Sequence, residues 1–259
     1  MDVGANQRLS RYARHLVLAR VGEAGQRKLA KANVLVVGAG GLGSAVLLYL
    51  AAAGVGTEGE LGIADSDVLE ESNLQRQVAH RQSDIGRPKV ESAADTVKAI
   101  NPALKVRTWP VRVDPQTAPK LVEGYDVVVD AMDNIAGRLA LNDACVAAGV
   151  PMVHGAATAW SGQAMTVVPG SGGPCYRCLF GGMSDDGLGP FAPRQAGVLS
   201  TVPGAVGCIE ATEALKLILG ASHEELLVGR LLVWDAWRMK FCEVAVEADS
   251  QCLCRRGRQ

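Results

Sequence analysis

Between positions 34 and 154, short apolar runs alternate with segments of helical period. Val34-Leu-Val-Val37 is apolar at every position and ends in glycine, which predicts a strand buried on both faces. The Ala- and Leu-rich segment Gly43 to Ala53 predicts its crossover helix, and Leu61-Gly-Ile-Ala64 predicts a second strand. Val90, Ala93, Ala94, Val97 and Ile100 recur at helical spacing, so Lys89 to Ile100 reads as a helix that Asn101-Pro102 ends. Strand-like Lys105 to Trp109 and Tyr125 to Asp130 follow, then a helix over Ile135 to Ala148 stopped by Gly149, then a short strand over Pro151 to His154. This alternation implies an α/β fold, a doubly wound and mostly parallel sheet of the Rossmann-like kind.

Past Gly155 the rhythm breaks. Gln163 to Val168 predicts a strand outside the alternation, and Gly170 to Gly197, with eight glycines and little periodicity, reads as a long loop. A helix over Gly204 to Leu219, a strand over Leu231 to Asp235 and a polar tail from Gln251 to Gln259 follow. No linker or repeat divides the 259 residues, so a single domain over 1–259 is expected. With 26 basic against 27 acidic residues the net charge is −1, which offers no electrostatic footprint for nucleic acid or an anionic membrane. The longest apolar run, Ala45 to Gly56, is too short to cross a bilayer, and the polar N-terminus lacks the core of a secretory signal. A cytoplasmic protein with reduced thiols is expected.

Chemistry enters at the turn Gly38-Ala-Gly-Gly-Leu-Gly43, where Gly38, Gly40 and Gly43 fit the Gly-x-Gly-x-x-Gly pattern between strand and helix. Absent side chains let phosphates reach backbone N–H groups at a helix N-terminus, and Gly41 brings the approach closer. Asp65, 22 residues after Gly43 at a strand end, suits the hydroxyls of a ribose. Those features fit NAD and ATP equally. Arg76, and Lys89 in Gly86-Arg-Pro-Lys89, add cations of the kind a triphosphate calls for. Asp130-Ala-Met-Asp133-Asn134 ends a strand at the carboxyl edge, where open α/β sheets bind ligands. Asp133 is the candidate Mg2+ ligand, while Asp130 is open to either metal binding or capping of the next helix.

In their order, these motifs resemble the E1-like ThiF/MoeB/HesA family of adenylyltransferases that activate ubiquitin-like sulfur carriers, in particular its molybdopterin-synthase adenylyltransferase branch. Arg11-Tyr-Ala-Arg14, Gly38 to Gly43, Asp65-x-Asp67, Ser72-Asn-Leu-Gln-Arg-Gln77, Gly86-Arg-Pro-Lys-Val90, Asp133-Asn134, Cys175-Tyr-Arg-Cys178 and Ala196-Gly-Val198 carry the resemblance along nearly the whole chain. It implies ATP against Gly41 and Asp65, phosphates among Ser72, Asn73, Leu74, Gln75, Arg76 and Lys89, and Mg2+ on Asp133 beside Asn134. It further implies a homodimer in which Arg14 enters the partner's site. The implied reaction adenylylates the C-terminal glycine of a Gly-Gly-tailed carrier of the MoaD or ThiS type and releases pyrophosphate. Two competing readings are an NAD(P)-dependent oxidoreductase, disfavoured by Asn73, Arg76 and Lys89, and a non-catalytic E1-like binding module.

Of seven cysteines, Cys175 and Cys178 have the spacing of a zinc half-site, and Cys252 with Cys254 could complete a four-thiolate structural Zn2+ site tying the tail to the long loop. The second pair departs from the family's usual two intervening residues, and Arg255 stands where the fourth ligand would fall. Phe191-Ala-Pro-Arg-Gln195, where some relatives carry a sulfur-linked nucleophile, holds no cysteine, and Cys145 and Cys208 read as helix core, with Cys242 ambiguous. The enzyme is therefore expected to stop at the adenylate, with no rhodanese domain and sulfur from a separate sulfurtransferase. None of His15, His80, His154 and His223 is given a catalytic role. Gly54 to Asp65 is about three residues longer than usual, a β-bulge or longer turn ahead of the second strand.

Overall fold

Alternate residues of the first strand face opposite cores. In β1 (Asn33–Val37), Val34 and Val36 pack into one apolar cluster while Leu35 and Val37 pack into another. The structure, a computed structural model, describes residues 10–184 and 196–255. Two short helices, α1 (Ala13–Leu16) and α2 (Gly22–Lys31), lead into β1, and α3 (Gly41–Ala53) follows it directly. The alternation continues through β2 (Glu60–Ala64), α4 (Lys89–Ile100), β3 (Val106–Trp109), α5 (Ala118–Leu121), β4 (Val127–Asp130), α6 (Ile135–Ala148) and β5 (Met152–Thr158). β6 (Ser161–Val167), α7 (Tyr176–Phe180), α8 (Thr201–Leu219), β7 (Arg230–Asp235) and β8 (Lys240–Ala245) follow, and a 3-10 turn over Leu253–Arg255 comes last among the described residues.

The eight strands form one sheet in the order β3-β2-β1-β4-β5-β6-β7-β8. The first five are parallel, which brings the carboxyl ends of β1, β2 and β4 to one edge, and the order reverses between β1 and β4. β6, β7 and β8 then add antiparallel strands, β5–β6 and β7–β8 as hairpins and β6–β7 across the long connection that carries α7 and α8. Helices α3, α4 and α8 cover one face through Leu47, Leu50, Val97 and Ala211. Leu121, Leu141, Tyr176 and Cys252 cover the other.

Helix α8 lies so close on α3 that a Cβ at Gly207 would approach the Leu42 carbonyl to 2.4 Å. The helices at 89–100 and 135–148 start and stop where the periodicity places them, with Gly149 in the left-handed region (φ 73°) as the C-cap. The loop expected over 170–197 is corrected in part: Tyr176–Phe180 is a helix turn, while 185–195 lies outside the described residues. β8 and α2 were not predicted at all. Every side chain of β8 is exposed, with Phe241 stacked on Trp234 of β7 and Glu243 paired with Arg230, so it has no buried face whose apolar alternation could be read. In α2 only Gly25, Gln26 and Leu29 are buried.

Among the described residues no helix is long and apolar enough to cross a membrane.

Candidate active site

At the reversal point the ends of β1, β2 and β4 open onto a cleft of about 370 Å³. Its walls include Gly38, Gly40, Gly41, Asp65, Arg76, Lys89, Asp133 and Asn134, so residues spread over nearly a hundred positions meet in one place. Helix α3 begins at Gly41 and aims its N-terminus at this cleft, where an anion gains from unpaired N–H groups and the helix dipole.

Asp65 does more than face a ribose. Its Oδ2 accepts the Ala39 N–H at 2.7 Å and its Oδ1 accepts the Asp67 N–H at 2.8 Å, so it ties the glycine turn to the end of β2. Burial pushes this carboxyl above its usual range, against the pull of Lys89 and of these two hydrogen bonds. Lys89 opens α4 with its side chain almost buried and places Nζ 2.8 Å from Asp67 Oδ2. That pairing keeps a desolvated ammonium neutralised at the cleft wall. Arg76 anchors its guanidinium on the Ser72 carbonyl at 3.2 Å. Asp133 is exposed at the cleft, the placement a hard, partly hydrated cation requires.

Other expected site residues are placed differently. Gly43 is no cleft wall; a Cβ there would stand 1.8 Å from the Gly38 carbonyl, so its absence lets the turn close on the helix. Ser72, Asn73, Leu74 and Gln75 also stay off the walls, because the 3-10 turn Glu71–Asn73 folds on itself, with Asn73 Oδ1 accepting the Glu70 N–H at 3.2 Å. Asn134 spends its side chain capping α6, accepting the Gly137 N–H at 2.8 Å. That settles the question left at Asp130, which is not the cap. Asp130 is fully buried, accepts from His154 Nδ1 at 2.8 Å and the Met132 N–H at 3.2 Å, and lies 3.7 Å from Arg138 Nε. Arg138 in turn donates to the carbonyls of Met132 and Gly155, so a buried pair holds the loop that carries Asp133. Burial and the Arg138 charge hold His154 below the ordinary imidazole range, which keeps the ring neutral with its Nδ1 proton on Asp130.

Gln77 and Arg112 also line the cleft and had been given no role. Gln77 is buried, sits beside Gly40 and has a buried Oε1 with no protein partner. Its place at the end of Ser72-Asn-Leu-Gln-Arg-Gln77 was the available signal. Arg112 follows β3 in a segment without periodicity, which gave none.

A second site lies behind α6. The sulfurs of Cys175, Cys178, Cys252 and Cys254 all fall within 4.8 Å of one another. The Cys175–Cys252 and Cys178–Cys254 separations are 3.5 Å and Cys175–Cys178 is 3.9 Å. A tetrahedron with metal–sulfur bonds of about 2.3 Å has edges of about 3.8 Å, so these thiols fit a zinc ion. The short Cys252-Leu-Cys254 spacing is absorbed by the 3-10 turn Leu253–Arg255, which swings Cys254, not Arg255, onto the cluster. Asn142 braces the site, donating to Cys175 Sγ at 3.6 Å and accepting the Tyr176 N–H at 2.9 Å.

Residues 12–255 match the ThiF family. The SAMP-activating enzyme E1 of Haloferax volcanii is 49% identical over 250 residues, which cover 96% of this chain and 90% of that protein. The sulfur carrier protein adenylyltransferase of Thermus thermophilus is 42% identical over 250 residues, 95% of this chain and 90% of that protein. The probable adenylyltransferase/sulfurtransferase MoeZ of Mycobacterium tuberculosis is 44% identical over 248 residues, 95% of this chain, which spans only 62% of MoeZ. Among solved structures, E. coli MccB with AMPCPP and MccA aligns with a TM-score of 0.80 at 25% identity, over 93% of this chain and 73% of that one. With a family match over nearly its whole described length and relatives this similar, the chain belongs to the ThiF family.

Proposed function

We propose that this protein adenylylates the C-terminal glycine of a small ubiquitin-like sulfur-carrier protein at the expense of ATP. The observation that carries the reading is the single cleft in which the glycine turn, Asp65, Arg76, Lys89 and Asp133 converge. The names of the Haloferax and Thermus relatives, a SAMP-activating enzyme and a sulfur carrier adenylyltransferase, support it. The dinucleotide reading accounts for the turn and Asp65 but leaves the cations and Asp133 without a task.

A carrier's terminal carboxylate is ionised at neutral pH and attacks the α-phosphate without a general base. The work left to the protein is to hold carboxylate and phosphate in line and to stabilise the charge on departing pyrophosphate. Gly41 and the N-terminus of α3 receive phosphate oxygens, Asp65 the ribose, and Arg76 and Lys89 the leaving group. Mg2+, when bound at Asp133, supplies further charge neutralisation on the phosphates. No thioester follows: Cys145 is buried with its thiol pushed far up by desolvation, Cys208 is half-buried in α8, and Cys242 sits on the outer strand β8. Sulfur is then added by a separate sulfurtransferase.

Arg14 acts in the partner subunit of a homodimer. The Tyr12 hydroxyl packs against Gly54, the C-cap of α3, and accepts from Asn101 Nδ2 at 2.9 Å. The cleft lies at the other end of that 13-residue helix, about 20 Å away at 1.5 Å per residue, beyond the reach of an arginine side chain. A structural Zn2+ on Cys175, Cys178, Cys252 and Cys254 ties the tail segment to α7.

The test is ATP–pyrophosphate exchange against each Gly-Gly-tailed carrier of the same cell. Exchange with one carrier and none with its tail-truncated form is expected. No exchange with any carrier, or nicotinamide bound to the purified protein, overturns the reading.

A further inference from the structure

Ala39, at the centre of the glycine turn, is held by both of its backbone polar groups. Ala39 N–H donates to Asp65 Oδ2 at 2.7 Å, and the Ala39 carbonyl accepts from His80 Nε2 at 2.8 Å. A carbonyl has no proton to give, so Nε2 carries one. His80 is buried, and its other nitrogen, Nδ1, lies 2.8 Å from Ser92 Oγ on α4. Ser92 Oγ is also 2.9 Å from Asp84 Oδ2, and Asp84 accepts from the Arg81 N–H at 3.1 Å and Arg87 Nη1 at 2.9 Å. A chain of hydrogen bonds thus runs from the flank of α4 to the nucleotide turn.

Peptide geometry gives this chain a direction. Among the described residues no peptide bond is cis, so the Ala39 carbonyl and the Gly40 N–H point opposite ways. With the carbonyl held on His80, the Gly40 N–H faces away from it, and Gly40 lines the cleft beside the unpartnered Oε1 side chain of Gln77. We propose that His80 is a positioning residue: by holding the Ala39 carbonyl it keeps the Gly40 N–H turned into the cleft as a donor to the nucleotide's phosphates. This rests on the reading of the cleft as an ATP site.

The ring acts in its neutral form. Burial, and Lys89 nearby, lower its proton affinity, while the Ala39 carbonyl, Asp65 and Asp84 raise it by less. The one hydroxyl proton of Ser92 is shared between Asp84 Oδ2 and Nδ1, and in either position Nε2 keeps its own proton on the Ala39 carbonyl. Glutamine places an N–H donor where Nε2 stands; asparagine reaches only the Nδ1 position.

The experiment is calorimetric titration of Mg–ATP into the whole protein and its His80→Gln, His80→Asn and His80→Ala variants, with a melting temperature for each. Asn and Ala are expected to weaken ATP binding about tenfold, the scale of one hydrogen bond to a charged group. Gln stays within about threefold of the parent, because it keeps the bond that aims the peptide. ATP affinity that merely follows the melting temperature across the three variants, or Gln as weak as Ala, overturns the proposal. If the parent itself binds no ATP, the nucleotide reading falls with it; a parent that binds ATP and an Ala variant that binds it equally overturn only the role of His80.

Discussion

Replacing Arg138 by methionine removes one half of a buried ion pair and leaves the other half in place. Arg138 and Asp130 expose 8% and 0% of their side chains, so Asp130 would be left as a charge with only hydrogen bonds from the Met132 N–H and His154 to hold it. Breaking such a pair from one side costs about 3–5 kcal/mol. The carbonyls of Met132 and Gly155 lose their donor as well, but those losses share the same site and do not simply add. At about 2–4 °C per kcal/mol for a chain of this size, the melting temperature falls by about 6–20 °C. The Asp133 loop loosens with it, so the half-saturating concentration of Mg–ATP rises.

The control is Asp130→Asn in the same background. The amide oxygen keeps the Met132 N–H, and His154 shifts its proton to Nε2 so that Nδ1 accepts from the new NH2 group. The double variant is therefore expected to recover at least half of the lost stability in urea unfolding. A single variant that loses less than about 1 kcal/mol, or a double variant whose loss is the sum of the two singles, refutes the reasoning.

Three further outcomes are expected. Cys254→Ser lowers bound zinc measured by atomic emission and lowers the melting temperature, while undiminished zinc in the variant would place the fourth ligand elsewhere. Glu210 is fully buried and desolvation raises its carboxyl well above 4.5, so the unfolded chain releases its proton first and stability falls as pH rises from about 4.5 towards the folded value. Glu210→Gln removes that loss, so the variant gains stability over the parent between pH 5 and pH 8 in calorimetric melts; an equal offset at both pH values counts against it. Arg14→Ala and Asp133→Asn chains, each inactive alone, regain part of the exchange activity when refolded together, because one site of the mixed dimer is complete; no recovery, or full activity of Arg14→Ala alone, counts against action in the partner's site.

The core of the fold was legible because its strands are buried on both faces and its helices repeat their apolar stripe. Val34 to Val37, Lys89 to Ile100 and Ile135 to Ala148 satisfy those rules locally, so their positions follow from the chain order alone. The glycine turn, Asp65, Arg76, Lys89 and Asp133 were readable as a set, since a parallel sheet must bring the carboxyl ends of its strands to one edge. Four cysteines at short spacing announced a thiolate cluster.

Tertiary structure alone decided which of these groups are free to meet a ligand. Asn134 and Asp130 look alike in sequence, yet one caps a helix and the other is sealed under the cleft, because a side chain's partners depend on elements distant along the chain. Gly43 carries the motif and serves packing, whereas Gln77 and His80 reach the turn from a segment with no periodicity. The place of Cys254 turned on one 3-10 turn, a geometry that residue spacing does not encode. Sequence fixes what each residue can offer; only the packed chain determines what it has already given away.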